Sequence, residues 1–180
     1  RGGNAEQNLI LMDEAPLFNT SHLMGFLSIF NADVVDHFTF YKGGIPSRFG
    51  GRISSILDTK LKAPNAEKWQ LEGGIGMIAN RLLIEGPIIS DKISFYLAGR
   101  VSYPDYLFKL SNNPNVENTK ANFYDLTTKV EYRINDKNRI TFSGYRSNDN
   151  FKLSGDSLSS LEINASSSLF NWQTNNATLI

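Results

Sequence analysis

The chain lacks cysteine, a net charge and any long apolar run, and it contains two histidines. Without cysteine it can form no disulfide, thiolate nucleophile or zinc–thiolate site. Eighteen basic residues balance eighteen acidic ones, which gives no support for binding nucleic acid or an anionic membrane surface. Apolar runs such as Leu9–Met12 are far shorter than the roughly 18 residues that a transmembrane helix needs. A transmembrane β-barrel stays possible, because it needs only alternating segments of about 10 residues.

Sequence motifs of catalysis are also missing. The chain has no GxSxG elbow, no phosphate-binding loop followed by Lys-Ser/Thr, and no dinucleotide fingerprint. Asp13 and Glu14 are adjacent, so in an extended chain their carboxylates point apart and do not readily share a proton. His22 and His37 have no partner at metal-ligand spacing. We therefore expect no catalytic residue, no metal, no cofactor and no enzymatic activity.

The stretch Phe38–Thr59 organises the rest of the chain. Two strand-like runs, FTFY and ISSIL, flank a segment that holds four of the fourteen glycines. Glycine permits a positive φ or a close backbone approach, and Pro46 fixes its own φ and removes a donor. The stretch predicts a strand, a shaped connection and a second strand, with an ordinary glycine-rich loop as the alternative.

Residues 40–44 (FYKGG) and 48–57 (RFGGRISSIL) resemble the end of the plug domain of TonB-dependent outer-membrane receptors. In that family a strand ends in an (R/K)-G-(G/P) turn, and a Y/F-G-x-x-x-G-x-(I/L/V) stretch leads toward the barrel. Residues 1–2, 9–13 and 15–16 are similar to the family's RG…DGxP element, although Glu14 stands where the family usually has glycine. The residues that carry the plug resemblance are Arg1, Gly2, Asp13, Lys42, Gly43, Gly44, Gly50 and Gly51.

The segment 17–37 has a mixed pattern. Thr20 or Ser21 could cap a short helix whose apolar face is Leu23, Phe26, Leu27 and Phe30, and residues 31–33 could form a second turn. Residues 60–67 (KLKAPNAE) indicate a polar linker, so we place a domain boundary between residues 62 and 63.

After the linker the pattern changes to long segments of alternating polarity. Six runs predict six strands, at residues 68–78, 81–88, 92–103, 122–134, 139–147 and, with its register open, 166–180. In the fourth run Tyr124, Val130 and the even positions between them form an apolar face, whereas Asp125, Lys129 and the other odd positions are largely charged. If the strands form a barrel, Val130 faces lipid and Lys129 a wet lumen.

The connections between these runs differ in length. Residues 90–91 and 135–138 predict tight turns on one side of the sheet, while residues 104–121 and 148–165 predict long loops on the other. On that second side only the hairpin at Ala79 and Asn80 is short. Short turns inside and long loops outside are typical of outer-membrane barrels. Residues 82–88, 90–95 and 98–100 also look like the opening barrel strands of the receptor family, most closely its starch-utilisation and related branches.

The sequence thus predicts a mainly β chain. A small mixed α/β plug domain, of which residues 1–62 are the C-terminal part, precedes about six of the roughly 22 strands of a transmembrane β-barrel in residues 63–180. The resemblance implies a fragment of a TonB-dependent receptor in the outer membrane of a Gram-negative bacterium. Such a receptor imports a nutrient such as a glycan, siderophore or peptide.

The resemblance also implies the partners. The inner-membrane protein TonB would pull on a missing N-terminal segment, a surface lipoprotein could join, outer-membrane lipid surrounds the barrel, and no nucleic acid is expected. Plug arginines would pair with carboxylates in the lumen and hold the plug. The candidates for this lock are Arg1, Arg48 and Arg52 on the plug and Glu85, Asp125 and Glu131 on the barrel.

The competing hypothesis is a soluble all-β carbohydrate-binding module. In that case aromatic side chains would form a stacking platform for a sugar, and the candidates are Trp69, Tyr103, Tyr106 and Trp172.

Overall fold

A computed structural model describes residues 7–18, 21–25, 27–52, 54–104, 109–110, 120–155 and 158–176, with the backbone alone for Met24 and for residues 152–176. The chain is mainly β, as predicted. Its strands are β1 (Asn8–Met12), β2 (Ala15–Pro16), β3 (Ser21–His22), β4 (Leu27–Ser28), β5 (Val35–Tyr41), β6 (Ser55–Leu61), β7 (Gln70–Ile75), β8 (Ala79–Ile89), β9 (Ile93–Ser102), β10 (Lys120–Asn135), β11 (Asn138–Gly155) and β12 (Leu158–Asn176).

Residues 7–62, called here the N-terminal unit, are built on a four-stranded sheet of order β2-β1-β6-β5. The apolar strand β1 runs parallel to β6, with Leu9 in register with Ile56, while β2 and β5 pair antiparallel to their neighbours. The strand–connection–strand prediction for residues 38–59 is confirmed, since β5 and β6 pair directly across the glycine-rich connection.

A two-residue turn at Asp13 and Glu14 joins β1 to β2. Both residues have positive φ, 47° and 71°, as a type I′ turn requires. Side chains other than glycine adopt this region with some strain. Glu14 therefore adopts, with some strain, the backbone conformation that the resembled family's glycine adopts without it.

The helix predicted near residues 20–30 is wrong. Residues 23–25 form one 3-10 turn, flanked by the short antiparallel pair of β3 and β4. Leu23 and Gly25, at the two ends of this turn, have φ of 50° and 106°, so an α-helix cannot continue through either position. No α-helix is present among the described residues of the N-terminal unit, so the α part of the predicted plug is not seen there. The turn at residues 31–33 is confirmed, with the Val34 N–H donating to the Asn31 carbonyl.

The six runs predicted after the linker are six strands. β7 to β12 form one antiparallel sheet in chain order, so each strand pairs with the next in sequence. The first two residues of the predicted linker belong to a strand instead, because Lys60 and Leu61 are the last residues of β6.

Two tight turns are confirmed and one long loop is wrong. β8 passes to β9 through residues 90–92, and β10 passes to β11 through residues 136–137. The predicted loop 148–165 is instead strand, because β11 extends to Gly155 and β12 begins at Leu158. Hydrogen bonding between the two strands along this stretch outweighs its polar composition.

The six-stranded sheet has two unlike faces. The covered face packs against the N-terminal unit and carries the odd positions of β10, and the open face carries the even positions. Asp125 is 2% exposed and Lys129 8%, whereas their apolar neighbours Tyr124 and Leu126 are 44% and 41% exposed. The burial is thus the reverse of the usual pattern, in which the apolar face is covered.

The N-terminal unit and the covered face share one buried cluster. Met12, Ile29 and Leu61 of the unit pack with Leu83 and Tyr96 of the sheet. The apolar residues of the strand-like runs predict a core of the unit formed by Leu9, Leu11, Phe38, Phe40 and Ile56. Leu11 and Ile56 are buried, but Phe38 and Phe40 are 69% and 50% exposed because β5 is the edge strand of its sheet.

Candidate functional site

The contact between the N-terminal unit and the covered face buries an unusual number of charged side chains. Glu85, Asp125, Lys129 and Asp149 of the sheet are each less than 10% exposed. Buried charges destabilise a fold unless they are paired and hydrogen-bonded. The partners of these groups therefore define how the two parts of the chain are held together.

His22 lies at the centre of one charged cluster. Its Nδ1 is 2.9 Å from Asp149 Oδ2 on β11, and its Nε2 is 3.1 Å from Asp125 Oδ2 on β10. The ring stacks on Phe123, with centroids 4.0 Å apart, and is fully buried. The Leu23 N–H donates to Asp149 Oδ1, so the residue after His22 is bound to the same carboxylate.

Burial of His22 lowers the pKa of its imidazole by penalising the charge. The hydrogen bonds and negative charges of Asp125 and Asp149 more than offset this, so the pKa is raised above its ordinary value of 6.5.

Arg100 on β9 completes the cluster. Its Nε and Nη2 donate to Asp125 Oδ2 at 2.9 and 2.5 Å. The same guanidinium donates to the carbonyls of Ser28, Ile29 and Phe30 at 3.0 to 3.2 Å. Arg100 thereby binds the backbone of the segment after β4 to the sheet, a task for which the five donors of arginine are suited.

A second cluster surrounds Asp13. Its Oδ2 lies 2.9 Å from Lys129 Nζ and accepts from Ser143 Oγ at 2.6 Å, while its Oδ1 accepts from the Leu61 N–H. Lys129 also donates to the Leu61 carbonyl at 2.9 Å. Asp13 belongs to the type I′ turn between β1 and β2. The turn therefore positions the carboxylate that forms the buried ion pair with Lys129.

Two further ion pairs join the N-terminal unit to β8. Lys62 Nζ is 2.9 Å from Glu85 Oε1, and Arg81 pairs with Asp33. Glu131 pairs instead with Arg139 of β11, at 3.4 Å, so it does not reach the N-terminal unit.

The arginines expected to hold the plug do not meet the expected carboxylates. Arg48 lies over the ring of Phe49 and donates to Tyr41 Oη at 3.4 Å. Arg52 is exposed and has no ion pair among the described residues, and Arg1 lies outside them. Two of the expected carboxylates, Glu85 and Asp125, do contact the N-terminal unit, through Lys62 and His22.

The residues of the plug motif are spread over two regions. Asp13 lies in the interface just described. The connection between β5 and β6 holds Lys42 and the four later glycines of the motif. Gly44 and Gly51 have φ of 61° and 84°, and Lys42 Nζ lies 5.4 Å from the Phe40 ring centroid. At Gly43 and Gly50 no positive φ is present. Gly2 lies outside the described residues.

Sequence reasoning missed His22, Arg100 and Asp149 as interface residues. Asp149 lies in the stretch 148–165, for which the polar composition predicts a loop, so the sequence does not place it on a strand. The signal that could have found it is the alternation of β11, where Tyr145, Ser147 and Asp149 share one face. His22 gave no signal of its own, because a lone histidine is equally compatible with many environments.

The aromatic residues of the carbohydrate-binding hypothesis do not form one described platform. Trp69 lies before β7, where its ring packs edge-on against Phe95 with centroids 5.5 Å apart. Tyr103 follows the far end of β9, a strand about 30 Å long. Tyr106 and the Trp172 side chain lie outside the described part of the chain.

No helix in the described part of the chain is long and apolar enough to cross a membrane. Among those residues, no group of three or more acidic, histidine or cysteine side chains is arranged to hold a metal ion.

Comparisons with known proteins give no relative: no family model, no curated protein and no solved structure matches the chain. The functional argument therefore rests on the geometry of the two faces and of the interface.

Proposed function

We propose that the chain is part of a TonB-dependent outer-membrane receptor, with the N-terminal unit as part of the plug and β7–β12 as barrel wall. The observation that carries this proposal is the reversed burial of the sheet. Its charged face is covered by the N-terminal unit, while its apolar face is open.

The open face is the stronger argument. A half-solvated antiparallel sheet in a water-soluble protein normally buries its apolar face and leaves the charged one in water. Here the apolar side chains continue across five neighbouring strands, and such a patch is much larger than the surface of a soluble monomer usually shows. They are Leu71, Ile75, Leu82, Leu97, Val101, Tyr124, Leu126, Tyr132, Ile134 and Phe142, each at least 39% exposed. An outer-membrane barrel presents this kind of surface to lipid.

Aromatic residues near the ends of the open face support the same orientation. Tyr124 and Tyr132 lie eight positions apart on β10, or about 27 Å along the strand. For a strand tilted by about 40°, this span corresponds to roughly 20 Å of membrane, close to the ~25 Å apolar band between the aromatic girdles of such barrels. Trp69 lies over Gly86 on the same face, where a side chain at position 86 would meet the indole.

The covered face fits the wall of a plugged lumen. A pore wide enough for a nutrient must be blocked, and the block must be held by contacts that can be exchanged for water. Buried ion pairs of the kind formed by Asp13–Lys129 and Lys62–Glu85 meet both needs, because water can solvate the separated charges.

The proposed activity is energy-coupled import of a nutrient such as a glycan, siderophore or peptide, without a catalytic step. The proposed location is the outer membrane of a Gram-negative bacterium. TonB would act on a plug segment that precedes the chain described here, and a surface lipoprotein is a further proposed partner. The proposed barrel has about 22 strands, of which this chain contributes six.

Cysteine labelling of the intact protein in cells tests the orientation. Val130→Cys, on the open face, should react with a lipid-phase probe and resist a water-soluble maleimide. Lys137→Cys, in the exposed turn between β10 and β11, is the matched control and should react with the maleimide once the reagent reaches the periplasm. A soluble carbohydrate-binding module would bury position 130 in protein and protect it from both reagents. Maleimide labelling of position 130, or protection from both reagents, would overturn the proposal.

A further inference from the structure

The environment of His22 requires a bound proton. An ionised carboxylate accepts hydrogen bonds but donates none, and a neutral imidazole has one N–H. Both ring nitrogens of His22 lie within 3.1 Å of an aspartate oxygen. Both contacts are hydrogen bonds only if the imidazole carries two protons or one of the carboxyl groups carries one.

The other donors in the cluster place that proton on His22. Arg100 donates twice to Asp125 Oδ2, and the Leu23 N–H donates to Asp149 Oδ1. The Asp125 oxygen that faces the ring therefore already accepts two N–H bonds, and the Asp149 carboxyl accepts a third, so both act as acceptors and the ring nitrogens are the donors. With both aspartates ionised, the charges of Arg100 and a protonated His22 cancel theirs, and the buried cluster is neutral.

The neighbouring elements contain no other described charge that faces the ring. On β10 the ring contacts Phe123 and Asp125, and on β11 it contacts Asp149 and the neutral Tyr145 hydroxyl, 3.4 Å from Nε2. On β9 the facing group is Arg100. The residues of β12 in register with positions 147–151 are not titratable: Ser167, Ser166, Ala165, Asn164 and Ile163.

We propose that His22 is a proton-dependent fastener, which holds the N-terminal unit to the sheet while it is protonated and weakens that hold when it loses the proton. The consequence for transport rests on the proposed function: a plug fastened in this way is released more readily as the pH of the medium rises.

The direction follows from linkage. The pKa of His22 is raised in the docked state, so docking binds a proton near neutral pH. The stabilisation is fully present below the ordinary histidine pKa of about 6.5 and is lost as the pH rises through the docked value. Above that pH the cluster is left with an uncompensated negative charge.

Hydrogen exchange of the intact protein tests the fastener. The Leu23 amide donates to Asp149, so its protection reports this contact directly. From about pH 5.5 to about pH 9, after correction for the intrinsic exchange rate, protection of peptides containing Leu23 should fall several-fold. In His22→Gln, which cannot be protonated, protection should be lower at acid pH and independent of pH.

His37→Gln is the matched control. His37 lies in the same unit and pairs with Asp36, but its side chain is 61% exposed. This variant should keep the pH dependence of the wild type.

A second variant is needed if the N-terminal unit of His22→Gln does not pack against the sheet at any pH. Asp149→Asn removes one of the two carboxylates that favour the protonated ring, so the loss of protection should move to lower pH. Constant protection of the wild type, an unchanged pH dependence in His22→Gln, or an unchanged midpoint in Asp149→Asn would each overturn the fastener. The readout is independent of membrane location, so it can fail while the labelling of position 130 succeeds, and the reverse.

Discussion

Leu11 and Phe38 lie on the same small sheet in opposite environments. Leu11 is 5% exposed and Phe38 is 69% exposed. Leu11→Ala should lower the free energy of unfolding of the N-terminal unit by about 2–5 kcal/mol, because it removes buried methyl groups and leaves a cavity. Phe38→Ala should change it by no more than about 0.5 kcal/mol.

Hydrogen exchange of the β1 and β6 amides at increasing urea concentration would measure both changes in the intact protein. Equal effects of the two substitutions would contradict the burial described for β1 and β5.

For single residues, the sequence predicts which face of a strand a side chain lies on better than it predicts which side chain it pairs with. The charged face of β10 is readable from the alternation of Asp125, Lys129 and Glu131. Which charge each one meets depends on residues far away in sequence: His22 is 103 positions from Asp125. The resemblance places Arg48 in the interface, but Lys62 and the Asn65 N–H, which follow β6, contact Glu85 instead.

The alternation along β10 correctly predicts two unlike faces, but the prediction that Lys129 faces a wet lumen is wrong. A side chain in a wet lumen would tolerate Lys129→Val. In the structure Lys129 is buried and paired with Asp13, so removing its amine leaves a buried carboxylate without its cation. Loss of one partner of a buried pair costs about 3–5 kcal/mol, so this substitution is not a neutral control.

Neighbouring positions on β7 give a cleaner comparison of the two faces. Leu71 is on the open face and Glu72 on the opposite one, and both are exposed. Leu71→Lys should impair assembly into the membrane, since a lysine facing lipid near the midplane costs about 2–4 kcal/mol. Glu72→Lys should assemble normally.

The measurement is the amount of each variant recovered in the outer-membrane fraction as a heat-modifiable folded band. If Glu72→Lys assembled worse than Leu71→Lys, the assignment of the faces would be reversed.

Period-two patterns predicted the six strands, because alternation is a local property of an antiparallel sheet. The same reliance on local pattern predicts β11 and β12 too short. Their far ends are rich in asparagine and serine, which locally favour turns, and pairing with each other overrides that preference. The wrong helix at residues 20–30 shows the converse. Leu23, Leu27 and Phe30 have a spacing compatible with a helix, but they lie in a 3-10 turn, in β4 and just after β4.

For the whole molecule, Arg100 is a group that joins the sheet to the N-terminal unit. It binds Asp125 and three carbonyls of the segment 28–30, whereas Arg52 is exposed. Arg100→Ala should therefore loosen the N-terminal unit and let small hydrophilic antibiotics enter cells that express the intact receptor. Arg52→Ala should leave permeability at the wild-type level.

Antibiotic sensitivity and solute influx would be compared at equal amounts of receptor in the outer membrane. Wild-type permeability in Arg100→Ala cells, or equal leakage in both variants, would contradict the role of the Arg100 contacts in closing the pore.

The reversed burial also has a consequence for how this sequence can change over generations. On the open face Leu126 is 41% exposed and Val130 is only partly buried, so an exchange among leucine, valine, isoleucine and phenylalanine should carry little penalty there. On the covered face Asp125 and Lys129 each have partners at fixed distances, and a change must be matched by another residue far away in the chain. Along one strand, adjacent positions should therefore diverge at unequal rates, quickly at even positions and slowly at odd ones.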